Sequence, residues 1–341
     1  MMVLPEFAKV AKIIVSDFLG TKPGEEFLVL TDTRDREIQM GNVFREAAIV
    51  AGARATLMEI PKPPSGVRYG EAFPPPPSVE AAVKNTDVCV TTVLGYSTFL
   101  RDACQAGRLR CVSTGTPEPA LVESLIRTIG EVDMPKLWKE IRSSAALWNK
   151  SDTVRITSKL GTDVTFDIKG LTCYAGTGHA LPPINFEFMP PGTTFIIDCA
   201  PIKEGTIVFD GICEYGEISD FFSEPIKMKI KNNIIVDVEG DKKLWPLIKP
   251  RLDALNDPNI YRLPAHFGIG FNPNAKNDPA APEWERYRGS FVIGIGDNSL
   301  HPYPKKLPPI QAKGHWDCQI LKPTIYADGK LIVEDGEILP H

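Results

Sequence analysis

His315-Trp316-Asp317 places an imidazole and a carboxylate two residues apart in an apolar, strand-like run from His315 to Ile325. On an extended backbone residues i and i+2 leave the same face, so the two side chains reach toward one point while Trp316 turns away. That is metal-chelating geometry. A third donor is available in His266, within the second strand-like run Leu263-Pro-Ala-His-Phe-Gly-Ile-Gly-Phe-Asn-Pro. Two histidines and one carboxylate on one face of an octahedral Fe(II) leave positions open for dioxygen and a chelating substrate, the chemistry of an oxygenase. The plainer reading is an ion pair, or a histidine oriented by its neighbour. The chain has five histidines, His179, His266, His301, His315 and His341. The spacing of His266 and His315 fits neither a zinc finger nor His-Glu-X-X-His, so a site must be assembled from distant strands.

The whole chain sets the bounds for that site. Its 341 residues suffice for two domains and a sizeable core, and 43% apolar with 24% charged residues describe an ordinary soluble globular protein. The net charge of -5 is mild and no basic block tracks a phosphate backbone, which argues against a nucleic-acid partner. Met1 to Leu19 has apolar residues at helical spacing but carries Glu6, Lys9, Lys12 and Asp17, against both a secretory segment and a membrane span. Seven cysteines without Cys-X-X-Cys pairs suggest reduced thiols in a cytoplasmic protein.

Two halves are expected, residues 1–150 and 151–341. In the first, Phe27 to Thr31, Ala55 to Ile60, Asp87 to Val93 and Arg110 to Thr114 read as strands. Helices Arg36 to Ala51, Ser78 to Lys84 and Thr98 to Ala106 alternate with them, and a proline-rich loop runs from Pro61 to Pro77. Such alternation builds an α/β domain, a parallel sheet with helices on both faces. Helices over Glu118 to Ile129 and Met134 to Asn149 close it. No Gly-X-Gly-X-X-Gly or Walker pattern opens any helix, so a nucleotide cofactor is not indicated. After Asn149 the pattern becomes β-rich, an α+β metal-binding half. Its hairpins are Thr153 to Lys159 with Asp163 to Lys169, and Ile226 to Val238 around Asn232-Asn233. Further strands run over Thr194 to Ala200, Thr206 to Phe209 and Phe291 to Gly296, with one helix at Lys242 to Leu255. All three candidate ligands lie in this second half, leaving the first as lid, pocket wall or oligomer surface.

Three segments carry a resemblance. Pro264-Ala-His266-Phe-Gly-Ile-Gly-Phe-Asn-Pro-Asn-Ala, Arg288-Gly-Ser-Phe-Val-Ile-Gly-Ile-Gly-Asp-Asn, and Gly314-His-Trp-Asp317 with Ile325-Tyr-Ala-Asp-Gly resemble the C-terminal half of the 2,5-dihydroxypyridine 5,6-dioxygenases. That family shares a superfamily with the thermophilic leucyl aminopeptidases, which hold two metal ions. The aminopeptidase branch carries a glutamate where His266 stands. It also places paired glutamates after Met-Pro-Thr, where Met189-Pro-Pro-Gly-Thr-Thr offers only Gly192 and Thr193, and a histidine that is missing from Arg286 to Asn298. The resemblance therefore implies His266, His315 and Asp317 as Fe(II) ligands, extradiol-type cleavage of a hydroxylated pyridine or related aromatic ring with O2, no organic cofactor, and a homo-oligomer. The rival readings are a zinc or manganese hydrolase like the aminopeptidases, and a binding protein that kept the fold without catalysis.

Departures from the family concern the proton-handling residues. The family's mobile histidine corresponds most nearly to Tyr96, whose ordinary pKa near ~10 makes it a poorer base at neutral pH. A second family histidine facing the ring is replaced by Phe188. His179, in Gly-Thr-Gly-His, is expected either to refill the pocket or to stand on an exposed loop, and His301 either to line the pocket or to sit in a solvated loop. Glu187 and Glu214 are acids near strand ends, each either a hydrogen-bond partner for substrate or simply solvated. Cys318 points away from Asp317 and is expected to pack.

Overall fold

Phe27-Leu-Val-Leu is apolar at every position because it is covered from both sides, the mark of a central parallel strand. The structure is a computed structural model and describes residues 5–61, 74–93, 97–114 and 121–340. Five parallel strands are ordered Arg54–Ile60, Glu26–Asp32, Val88–Thr91, Arg110–Ser113 and Phe186–Phe188. Helix Asp35–Val50 lies against Phe27 and Val29 on one face, and helices Pro77–Lys84 and Thr98–Gln105 lie against Leu28, Leu30, Cys89 and Cys111 on the other. The expected α/β sheet is thus present. Its fifth strand, Phe186–Phe188, comes from beyond residue 150.

Two antiparallel sheets follow. The seven-stranded one is ordered Ile218–Phe221, Ile212–Tyr215, His315–Ile320, Phe291–Gly296, His266–Gly270, Thr193–Ile196 and Tyr174–Gly176. The eight-stranded one includes the hairpin Ile226–Lys231 to Ile234–Gly240, whose turn residues Asn232 and Asn233 have φ of 50° and 64°, as a primed two-residue turn requires. The sheets are joined by a core in which Phe166 stacks on Phe267 with ring centroids 4.4 Å apart. Among the described residues no helix is long and apolar enough to cross a membrane.

Three expected elements are revised. The apolar run from His315 to Ile325 is two strands, His315–Ile320 in the seven-stranded sheet and Thr324–Ala327 in the eight-stranded one, and Leu321 to Pro323 carry the chain between them. The helix expected from Lys242 begins at Trp245, because the Asp241 carboxylate accepts the backbone N–H groups of Leu244 and Trp245, each at 2.6 Å. The helix expected to end at Ile129 is described from Leu121 and finishes in a wider turn at Ile126–Gly130.

Candidate metal centre

Strand pairing lines up the site. In one row across four adjacent strands, Glu214 pairs with Asp317, Asp317 with Gly294, and Gly294 with His266. Register partners in antiparallel strands point to the same face. Here it is the face opposite Phe267 and its stack on Phe166, with His315 two residues before Asp317 and paired with Gly296. His266 Nε2 lies 2.8 Å and His315 Nε2 3.1 Å from Asp317 Oδ1, and the three donor atoms all fall within 4.8 Å of one another.

Gly294 makes this convergence possible. A Cβ there would stand 2.4 Å from His266 Cδ2, 2.5 Å from its Nε2 and 2.8 Å from His315 Cε1. The imidazoles occupy the space a side chain would fill, their rings 5.2 Å apart and nearly parallel.

The electrostatics suit a cation. The Asp297 carbonyl can only accept, so His315 Nδ1–H donates to it at 2.7 Å, leaving the Nε2 lone pair directed at the cluster. Burial pushes the Asp317 carboxyl up, but the His315 and His266 imidazoles more than reverse this and hold it well below the usual carboxylate range. Burial pulls His315 down, while the Asp317 carboxylate and the Asp297 carbonyl together push it up to about 9. The buried carboxylate therefore demands positive charge between itself and two nitrogen lone pairs. A divalent cation meets that demand as well as protons do, and two imidazoles with one carboxylate form a donor set that suits iron, zinc or manganese.

An aromatic wall stands beside the cluster. The His301 ring is 6.5 Å from His266, 5.7 Å and edge-on to Phe188, 5.1 Å from Tyr303 and 6.4 Å from Phe195. Half-buried among these rings, His301 is not a solvated loop residue; burial, Lys305 and the neighbouring imidazoles pull its pKa well below the ordinary value. Glu187 is buried, with its carboxyl pushed up by burial and only partly drawn back by the Tyr303 hydroxyl and Arg286. Glu214, beside Asp317, accepts a hydrogen bond from Trp284 Nε1 at 3.1 Å. Lys305 donates to the His301 carbonyl at 3.0 Å, and burial and Arg101 bring its pKa down to about 8.

His266, His315, Asp317, His301 and Phe188 thus gather in one place, with Glu187 behind them through Tyr303. His179 stands elsewhere, neither refilling this pocket nor exposed on a loop. Its ring lies 4.6 Å from Trp138 and 5.5 Å from Phe18, with Nδ1 3.0 Å from Thr177 Oγ1. Tyr96 lies outside the described residues. Sequence reasoning missed Gly294, Asp297, Trp284, Arg286 and Tyr303. Only the glycine pattern Gly294-Ile-Gly296 carried a signal, that of a strand whose outer face must stay bare.

Fold and site together define a mixed α/β protein, a parallel sheet and two antiparallel sheets, with a three-donor candidate metal centre on the face of one antiparallel sheet opposite Phe267. The chain belongs to the 2,5-dihydroxypyridine 5,6-dioxygenase family, which it matches over residues 17–340. Among solved structures it is similar to the 2,5-dihydroxypyridine dioxygenase of Pseudomonas putida KT2440. The TM-score is 0.80 at 20% identity, covering 98% of this chain and 97% of that one. It is also similar to AmpT from Thermus thermophilus, with a TM-score of 0.62 at 12% identity, covering 96% and 99% of the two chains. No curated protein sequence matches it. Family membership supports a dioxygenase-like function.

Proposed function

We propose that the protein is a mononuclear non-haem Fe(II) dioxygenase that cleaves a hydroxylated pyridine or related aromatic ring with O2 in the extradiol manner. The observation that carries this reading is the meeting of His266 Nε2, His315 Nε2 and Asp317 Oδ1. These three residues would hold the ion, which when bound would supply the redox chemistry that joins dioxygen to an electron-rich, metal-chelating ring. The Asp297 carbonyl orients His315 for that task. Phe188 and His301 offer faces and edges against which a flat ring packs next to the cluster. A neutral His301 imidazole adds no charge repulsion toward the cation, and the Glu187–Tyr303 pair places a hydrogen-bonding acid behind the wall.

The test is anaerobic reconstitution with Fe(II), metal analysis, and oxygen uptake against a panel of dihydroxypyridines and hydroquinones. One iron per chain with stoichiometric oxygen consumption on a ring substrate is the expected result. Two zinc or manganese ions per chain with peptide hydrolysis would replace this reading by the hydrolase one, and ligand binding without any metal requirement would leave a non-catalytic relative.

A further inference from the structure

Beneath the candidate metal centre, on the opposite face of the same strands, two thiols meet. Cys213 and Cys318 are register partners on the adjacent antiparallel strands Ile212–Tyr215 and His315–Ile320. Both side chains are fully buried, and Cys318 Sγ lies 3.4 Å from Cys213 Sγ. Each is the chain neighbour of a carboxylate on the outward face, Cys318 following Asp317 and Cys213 preceding Glu214, and those two acids are themselves register partners.

Opposed residues of an antiparallel pair have Cα atoms about 4.5–5.5 Å apart, inside the span of about 4.4–6.8 Å that disulfides bridge. The sulfurs need only close from their present contact to the roughly 2.05 Å of an S–S bond. Cys89, Cys104 and Cys111 form a separate group in the core of the parallel sheet, and Cys111 touches both of the others.

We propose that Cys213 and Cys318 are an oxidisable pair, a peroxide-modified site that couples the thiol state of the protein to cation binding at His266, His315 and Asp317. Hydrogen peroxide converts one thiol to a sulfenic acid, its O–O bond breaking as an S–O bond forms and one water leaves. The second sulfur then attacks the sulfenic sulfur. An S–S bond forms, the S–O bond breaks, and the departing hydroxide takes the second thiol's proton as another water. Two thiols and one peroxide become one disulfide and two waters. Closing the sulfurs from 3.4 Å to about 2.05 Å fixes the side chain of Cys318 and so constrains the backbone of the residue next to Asp317, one of three donors that must stay in register. The cation-binding half of this inference rests on the metal-centre reading; the crosslink itself does not.

The full-length protein, reduced and then treated with hydrogen peroxide and freed of it, is to be digested for peptide mass mapping and titrated with Mn(II) as a redox-quiet probe. The expected result is a linked peptide pair containing Cys213 and Cys318, lighter by two hydrogens. Mn(II) affinity falls by about tenfold or more, the size of effect seen when the supports of metal ligands are disturbed, and dithiothreitol restores both. Cys213→Ala is expected to bind Mn(II) like the reduced protein and to lose the peroxide response. Should that variant not fold, the dithiothreitol reversal in the unsubstituted chain decides the matter. Cys213 and Cys318 remaining as thiols while half-buried Cys199 is oxidised would overturn the proposal, as would a complete crosslink with unchanged Mn(II) affinity. A reduced protein that binds no Mn(II) overturns the metal-centre reading and the coupling with it, while the peptide map still judges the pair.

Discussion

Gly294 and His266 are register partners on adjacent strands, and a Cβ on the glycine would lie 2.5 Å from the Nε2 that faces Asp317. The distance is shorter than any ordinary contact, so one imidazole must move if a side chain appears. The substitution Gly294→Ala is expected to lower metal affinity by about tenfold to a hundredfold, with the strand pairing intact, since the nearest atoms a Cβ would meet belong to the two imidazole side chains and not to the backbone. Metal titration alongside a thermal melt separates the two effects; unchanged metal affinity would show that the cluster does not depend on the bare strand.

Alanine at His266, His315 or Asp317 is expected to remove metal binding and oxygen consumption together. Asp317 is the most informative of the three, because both imidazoles converge on its Oδ1. Full oxygen uptake by Asp317→Ala would refute the assignment.

Phe188 meets the His301 ring edge-on at 5.7 Å, beside the cluster. Phe188→Ala is expected to raise KM for a ring substrate about fivefold, corresponding to roughly 1 kcal/mol of aromatic contact, while leaving metal content untouched. Steady-state kinetics with metal analysis on the same sample provides the check. A loss of metal with no change in KM would place Phe188 in support of the ligands instead of the pocket.

The Glu283 carboxylate is fully buried, accepts from Ser124 Oγ at 2.6 Å and pairs with Arg127, tying the Leu121–Gly130 segment to the turn that bears Trp284. Arg127→Met leaves that carboxylate buried without its cation and is expected to cost about 3 kcal/mol. Adding Glu283→Gln should recover part of the loss. Urea unfolding of the two single variants and the double variant measures the coupling, and strictly additive losses would contradict it.

Alkaline pH should destabilise the fold. Burial pushes the thiols of Cys111 and Cys173 well up, Cys199 to about 11, and the Tyr174 hydroxyl to about 12. Groups whose folded pKa exceeds the unfolded value contribute stability that is complete below the unfolded pKa, about 8.5 for a thiol. That contribution is lost as pH rises, because the unfolded chain sheds protons that the folded chain retains. Each thiol adds a loss of about 1.4 kcal/mol per pH unit once past that point. Lys305, brought down to about 8, works in the opposite sense up to its unfolded pKa near ~10.4, one group against three thiols. Urea midpoints in reductant should therefore fall between about pH 8.5 and 10.5, and less steeply in Cys173→Ala. A flat profile would mean that these thiols ionise as readily folded as unfolded.

Much of the α/β half was legible because its signals are local. Continuous apolar runs such as Phe27 to Leu30 mark buried parallel strands, and the helices Pro77–Lys84 and Thr98–Gln105 show in periodicity. Phe186–Phe188 was not legible as a fifth strand of that sheet, since three residues carry no period and their partner lies far back in the chain. The run from His315 to Ile325 misled for a related reason. Its two halves are both apolar, and a change of sheet leaves no mark in hydropathy.

The sequence by itself determined the kinds of donor and one of their relations: on any extended strand, His315 and Asp317 point the same way. Only the tertiary structure decided that His266 joins them, that Gly294 clears the space between, and that Asp297 turns His315 to face inward. Those facts depend on which strands pair and in what register, a matter settled by packing between segments far apart in the chain and not written into any one of them.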